Sequence, residues 1–184
     1  YVKDELSFDK FNKNADRIAR VIFQANINGG KINESNVMPP VAQAMKNDFP
    51  GVEDATRLMD YGSPKIIHKA ETFKGDRLAF VDHNFFSIFT LPMVEGDPKT
   101  ALLEPNTIVI TQSTAKKYFG KKNVIGKTIT LEGDNDQLYK VTGLIKDVPA
   151  NSHFHFDLFG SMKGWKDATS DSWMGGNYYT YLLL

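Results

Sequence analysis

Two stretches of the chain carry residue types that could do chemistry. Gly120-Lys-Lys-Asn-Val-Ile-Gly126-Lys127-Thr128 has the glycines, lysine and threonine of a phosphate-binding loop. Such a loop holds four residues between its glycines, follows a strand and opens a helix, so that backbone N–H groups and the helix N-terminus converge on phosphate. Here five residues intervene, a helical pattern (Ser113 to Phe119) precedes, and a strand pattern (Lys127 to Leu131) follows. The order is inverted. Gly120 is therefore read as a helix end and Gly126 as a turn glycine, which excludes nucleotide binding at this motif.

The second stretch is His153-Phe-His155-Phe-Asp157. On a strand, residues two apart share a face about 6.5–7 Å apart, so two imidazoles and a carboxylate could reach one metal ion. Phe154, Phe156 and Leu158 would then occupy the other face, and plain amphipathic alternation explains the pattern as well. The polar-face reading is favoured, and a metal-dependent hydrolase centred on these three residues is kept as the lesser alternative. Asp134-Asn135-Asp136 lacks the glycine and the distant glutamate of a calcium loop and reads as a hairpin turn. The carboxylate pairs Asp4/Glu5 and Glu53/Asp54 are adjacent in sequence and do not face each other on a helix or a strand. No Gly-x-Ser-x-Gly elbow and no cysteine is present. The expectation is a protein that is not an enzyme, with no catalytic, cofactor-binding or metal-binding residues assigned. Trp165 and Trp173 stand among Gly164, Gly175 and Gly176 and are candidate partner-contact residues, with covering of a sheet as the other reading. Phe85, Phe86 and Phe89 could line an apolar groove, but their spacing with Ile88 fits a helix packed on a sheet.

Composition narrows the classes further. With 184 residues the chain suits one domain or two small subdomains sharing a core. Lys plus Arg equals Asp plus Glu at 22 each, so the basic excess that lets a protein displace counterions from nucleic acid is missing. No apolar run reaches the roughly 18–20 residues of a membrane span. The chain begins at Tyr1 and ends Tyr181-Leu-Leu-Leu184, and these ends are read as cuts through a longer protein.

Several elements must position these residues. Phe8, Phe11 and Ala15 predict a short helix over about 4–14. Arg17 to Ile27 reads as a strand, closed by the turn signal Asn28-Gly29-Gly30. Pro39-Pro40 opens a helix with Val41, Met45 and Phe49 on one face, ended by Pro50-Gly51. Val52 to Tyr61 follows as a strand, which makes a βαβ unit. Lys65–Phe73 and Arg77–Asp82 predict a hairpin around Lys74-Gly75-Asp76, and Asp82 is expected to cap a short helix. Asn106–Thr111 is a strand, and Thr111 or Ser113 caps the next helix, with Lys116 and Lys117 favourable near its C-terminus. Lys127–Glu132 and Leu138–Val148 form a second hairpin. Phe154–Met162 and Asn177–Leu184 are further strands, separated by a loop. The fold class is α+β.

A resemblance adds to this reading. Gly96-Asp97-Pro98 with Leu102, Pro105-Asn106-Thr107-Ile108-Val109-Ile110-Thr111, Ala115-Lys116-Lys117-Tyr118-Phe119-Gly120, Ile125-Gly126-Lys127-Thr128 and Val141 to Asp147 occur in order. Together with Tyr1 to Phe11, Asn14 to Val21, Asn151-Ser152-His153-Phe154 and Tyr179-Thr180-Tyr181, they resemble the MacB-type periplasmic core domain of ABC transporter permeases of the MacB/FtsX class. The resemblance implies a porter-like βαβ subdomain (1–75 plus 174–184) and an inserted strand-rich subdomain (76–173). It implies that the last helix and strand of the porter unit lie beyond Leu184, leaving the final strand an uncovered edge open to pairing. It also implies a location on the outer, periplasmic side of a bacterial cytoplasmic membrane, anchored by membrane helices. The implied partners are a cytoplasmic ATPase subunit or domain, a second permease copy and a periplasmic adaptor. The implied function is transmission of ATP-driven motion to gate or push a cargo. The alternative is a soluble extracytoplasmic module binding peptide, lipid or glycan, which a deep apolar pocket would favour.

Overall fold

A computed structural model describes residues 9–27, 29–120, 123–133 and 136–184. The strands are β1 (Ile18–Arg20), β2 (Phe23–Ile27), β3 (Gly30–Glu34), β4 (Asp54–Gly62), β5 (Ile66–His68), β6 (Glu71–Phe73), β7 (Leu78–Val81), β8 (Met93–Glu95), β9 (Thr107–Thr111), β10 (Thr128–Leu131), β11 (Gln137–Ile145), β12 (Leu158–Ser161) and β13 (Tyr179–Leu183). The helices are α1 (Val41–Asp48), α2 (Phe85–Ile88) and α3 (Gln112–Phe119). All the strands except β2 and β3 form one sheet in the order β1-β13-β4-β7-β12-β9-β11-β10-β5-β6, with β8 also on β11. Among the described residues β2 and β3 pair only with each other.

The front of the chain is a split βαβ unit. β13 runs antiparallel to both β1 and β4, so β1 and β4 are parallel with β13 between them and α1 as the crossover. The last strand is thus covered on both sides, not an uncovered edge; the edge belongs to the three-residue β1. A strand this short offers few free backbone groups for pairing with another chain.

Burial on both faces explains the continuous apolar runs in the middle of the sequence. Every residue of β7, β9 and β12 is buried. Ala79, Val81, Val109 and Phe159 join one core with Phe85, Phe86, Phe89, Phe154 and Phe156. Leu78, Phe80, Ile108, Ile110 and Leu158 join a second core with Ala115, Tyr118, Tyr139 and Tyr178. A strand covered on both faces reads as unbroken hydrophobicity, not alternation. The phenylalanines of α2 belong to the first core, so they are packing material, not a groove.

Local signals set the helix ends. Thr111 caps α3 by accepting a hydrogen bond from the Thr114 N–H, and Gly120 closes it at φ 76°, a backbone conformation that costs glycine little. Gly126 has φ 85° in the turn before β10. The described residues of the Gly120–Thr128 stretch are therefore helix end, turn and strand, in that order. β10 and β11 form the expected antiparallel hairpin; Asp134 and Asn135 of its turn lie outside the described residues.

Other expectations are corrected. Residues 9–14 are turns followed by a 3-10 turn at Ala15–Arg17; the rest of the helix expected there lies outside the described residues, as do Asp4 and Glu5. The strand expected over Arg17–Ile27 breaks at Val21-Ile22, where the Val21 N–H turns to the Thr180 carbonyl and β2 leaves the main sheet. The first hairpin is β5–β6 alone, turning at Lys69 with φ 56°, and β7 instead pairs with β4 and β12. Asp82 does not cap α2 with its side chain, because that carboxylate is engaged by Arg57. Phe49, placed by its spacing on the inner face of α1, is 52% exposed. None of the described helices is long and apolar enough to cross a membrane.

Candidate functional site

The structure does not bring His153, His155 and Asp157 together. β12 starts only at Leu158, so the three residues lie on non-strand backbone and the two-residue alternation that would align them is lost. Asp157 is turned into the fold: its Oδ2 accepts from the Arg77 N–H at 2.8 Å, and its own N–H donates to the Arg77 carbonyl at 2.8 Å. His155 bonds through Nδ1 to the neighbouring Phe154 carbonyl at 3.0 Å. Among the described residues no cluster of three metal-ligating side chains is found.

His153 has a different role. Its Nδ1 is 2.8 Å from Asp9 Oδ2 and its Nε2 is 2.8 Å from the Tyr181 hydroxyl. A carboxylate only accepts, so Nδ1 carries the proton, and in the neutral imidazole Nε2 then accepts from the Tyr181 O–H. The His153 N–H donates to Asp9 Oδ1 at 3.1 Å, and the Asp9 N–H donates to the Asn151 carbonyl at 2.9 Å. Burial pushes the Tyr181 hydroxyl above its ordinary pKa, so it stays a donor. This relay ties three distant pieces together: the segment leading into β1, the turn before β12, and β13. One residue further on, Arg17 hydrogen-bonds to Leu184 through both its backbone carbonyl and its Nε.

A second tie lies on the other side of β4. Arg57 donates from Nε and Nη2 to Asp82 at 2.9 and 2.8 Å, and from Nη1 to the carbonyls of Pro39 and Ala168 at 3.1 and 2.7 Å. Burial works against the charge on Arg57, but Asp82 outweighs it and holds the pKa above its usual value. Beside it Asp54 accepts from Lys46 Nζ at 2.8 Å and Asn84 Nδ2 at 2.9 Å. Burial opposes ionisation there too, but these hydrogen bonds win and keep the carboxyl below its ordinary pKa. The two pairs floor an open cleft of mixed lining, about 510 Å³, between α1 and residues 168–171.

The two tryptophans part company. Trp165 lies on the second core, its ring centroid 4.2 Å from that of Phe80. Trp173 is 56% exposed beside Met174 at 85%. Asp9, Arg57 and Asp82 escape a reading of the sequence as site residues, because their partners lie 18 to 144 residues away.

Among the described residues, these hydrogen bonds tie segments far apart in the sequence to one another. The sequence matches the family described as the MacB-like periplasmic core domain over residues 1–183. The chain belongs to that family. It is an extracytoplasmic, MacB-like domain of an ABC transporter permease. Among solved structures, the fold is similar to a domain of a protein assigned as a permease from Porphyromonas gingivalis, at TM-score 0.83 and 27% identity, covering 94% of this chain and 75% of that one. It is also similar to the periplasmic region of MacB from Actinobacillus actinomycetemcomitans, at TM-score 0.62 and 16% identity, covering 91% of this chain and 74% of that one. The extracellular domain of the noncanonic ABC-type transporter YknZ from Gram-positive bacteria matches at TM-score 0.62 and 16% identity, with 90% and 82% covered. No curated protein sequence matches the chain.

Proposed function

We propose that this MacB-like domain transmits ATP-driven motion of membrane helices to a cargo outside the membrane, and that it makes and breaks no covalent bonds. The observation that carries the reading is the junction of Asp9, His153 and Tyr181 with the Arg17–Leu184 contact. Force arriving through the segment before β1 passes directly into β13 at the centre of the split βαβ unit, and from there into β4. We further propose that 1–75 with 174–184 moves as a porter-like unit and 76–173 as the inserted one, hinged near the Arg57–Asp82 tie. The β5–β6 hairpin, though before residue 76, pairs with β10 and would travel with the inserted unit. The implied partners are a cytoplasmic ATPase, a second permease copy and a periplasmic adaptor, on the outer side of the cytoplasmic membrane. Trp173, with Met174, is the better placed of the two tryptophans to contact one of them.

The alternative of a soluble module for peptide, lipid or glycan has less support. The described cavities are open clefts with mixed lining, whereas small-molecule sites bury most of their ligand in apolar walls. These 184 residues hold no cysteine, so Trp173→Cys in a full-length permease whose cysteines outside this domain are replaced gives one spin-label site per copy. With the ATPase reconstituted in lipid, the distance between the labels in two copies is expected to change between the nucleotide-free and ATP-bound states. Identical distances in every nucleotide state would sink the reading.

A further inference from the structure

Among the described residues Arg20 has no acidic partner, and every other arginine is in an ion pair: Arg17 with Glu53, Arg57 with Asp82 and Arg77 with Asp60. Arg20 pairs with Tyr181 across β1 and β13, and its guanidinium has that tyrosine's hydroxyl as its polar neighbour. It lines two adjoining cavities, of about 260 and 210 Å³, that share Arg20, His153 and Tyr181 as their common wall.

The lining of the second cavity adds donors and aromatic surface. Arg77 supplies N–H groups and His155 an imidazole, Phe154, Phe156, Tyr179 and Tyr181 supply walls, and the ring nitrogens of His153 are held by Asp9 and Tyr181. The carboxylates present in the two cavities are already engaged, Asp60 by Arg77 and Asp9 by His153. Of the charged side chains lining the second cavity, Arg20 and Arg77 stand against Asp60. His155 donates from Nδ1 to the Phe154 carbonyl, which directs its other ring nitrogen away from that bond. A guanidinium presents a planar fork that matches the paired oxygens of carboxylate and phosphate. Both cavities are smaller than the roughly 300–1,000 Å³ of pockets that engulf a drug-sized ligand, so a small head group fits and a whole ligand does not.

We propose that Arg20, flanked by His153, His155 and Arg77, is an anion subsite that takes one phosphate or carboxylate group. The group belongs either to a free small molecule or to a lipid head. The subsite goes beyond the transmission reading and does not rest on it.

The test follows the Cε1–H resonances of His153 and His155 while inorganic phosphate, and separately acetate, is added at constant pH and ionic strength. The expected result is a saturable shift of at least one of the two resonances. Arg20→Gln weakens the binding at least tenfold, and Arg20→Lys keeps part of it because the charge remains without the fork. Thermal unfolding of each variant shows that the fold survives; if Arg20→Gln does not fold, Arg20→Lys carries the comparison. Sedimentation with phosphatidylcholine vesicles, with and without phosphatidylglycerol, separates the sources. Binding that needs phosphatidylglycerol and Arg20 assigns a lipid head group, and saturation by phosphate or acetate without it assigns a free anion. Shifts that never saturate with either ion, together with no Arg20-dependent vesicle binding, overturn the proposal, as does an unchanged titration in well-folded Arg20→Gln.

Discussion

Arg57 and Asp82 meet through two near-parallel hydrogen bonds, 2.9 Å from Nε to Oδ2 and 2.8 Å from Nη2 to Oδ1, and the Arg57 backbone N–H adds a third to Oδ2 at 2.8 Å. The side chains are 15% and 20% exposed, which puts the pair between a surface bridge worth under about 1 kcal/mol and a buried one whose breakage costs about 3–5 kcal/mol. Asp82→Ala is expected to destabilise the domain by about 2–3 kcal/mol, read as a lower urea midpoint at unchanged slope. The double variant Arg57→Met with Asp82→Leu is expected to cost less than the two single changes added, because no charge is left unpaired. Strict additivity would mean that the two side chains do not act as a unit.

The relay through His153 gives a second expectation. His153→Ala strips Asp9 of its imidazole donor and leaves the hydroxyl of Tyr181, a residue 3% exposed, without its acceptor. An orphaned buried polar group costs about 1–3 kcal/mol. The amides of Asn12, Ala15 and Arg17, which are bonded within the turns after Asp9, should exchange faster with solvent, while those of β9 keep their protection. Equal acceleration in both places would show that the relay holds no local segment.

Much of the fold was legible because its signals are local. The paired prolines before Val41, the Thr111 cap, Gly120 and the β10–β11 hairpin each act within a few residues and were read at their places. What escaped reading depends on distance. β13 inserts between β1 and β4 from the far end of the sequence, and nothing in Tyr179–Leu183 names its neighbours. The His-Phe-His-Phe-Asp alternation was taken for a strand, yet the Asp157–Arg77 hydrogen bonds hold that segment across the start of β7 before pairing begins. Asp9 was invisible as a site residue because its partner His153 is 144 positions away.

Titration of Tyr139 sets an alkaline limit. Burial, then the neighbouring Tyr61, pushes its hydroxyl up to about 12 from the ordinary 10, against a hydrogen bond with Trp165 that lowers it. A group whose pKa is raised by folding stabilises the fold below its unfolded value, and that contribution is lost as pH climbs from about 10 towards about 12. Tyr139→Phe removes this loss. Urea unfolding at pH 9 and pH 11 should show the variant gaining on the natural protein by about 1 kcal/mol over that interval. A gap that stays constant across the interval would assign the alkaline sensitivity to other tyrosines.

Gly160 tests how tightly the second core is built. It sits opposite Phe80 in the parallel β7–β12 register, and a Cβ there would lie 2.5 and 2.7 Å from two carbons of the Phe80 ring. That ring cannot step aside: Phe80 is fully buried, with the rings of Tyr61, Tyr139 and Trp165 at centroid distances of 5.2, 5.9 and 4.2 Å. Inserting a methyl into a packed core costs about 1–3 kcal/mol, and with a contact this close Gly160→Ala is expected at the upper end. Phe80→Leu alone is also destabilising, since it opens a cavity under Trp165. Combined with Gly160→Ala it frees space for the new methyl, so the double variant should be more stable than the sum of the two losses allows by about 1 kcal/mol or more. Thermal and urea unfolding of the four proteins measure that coupling, and a coupling near zero would mean that the sheet, not the ring, yields to the added carbon.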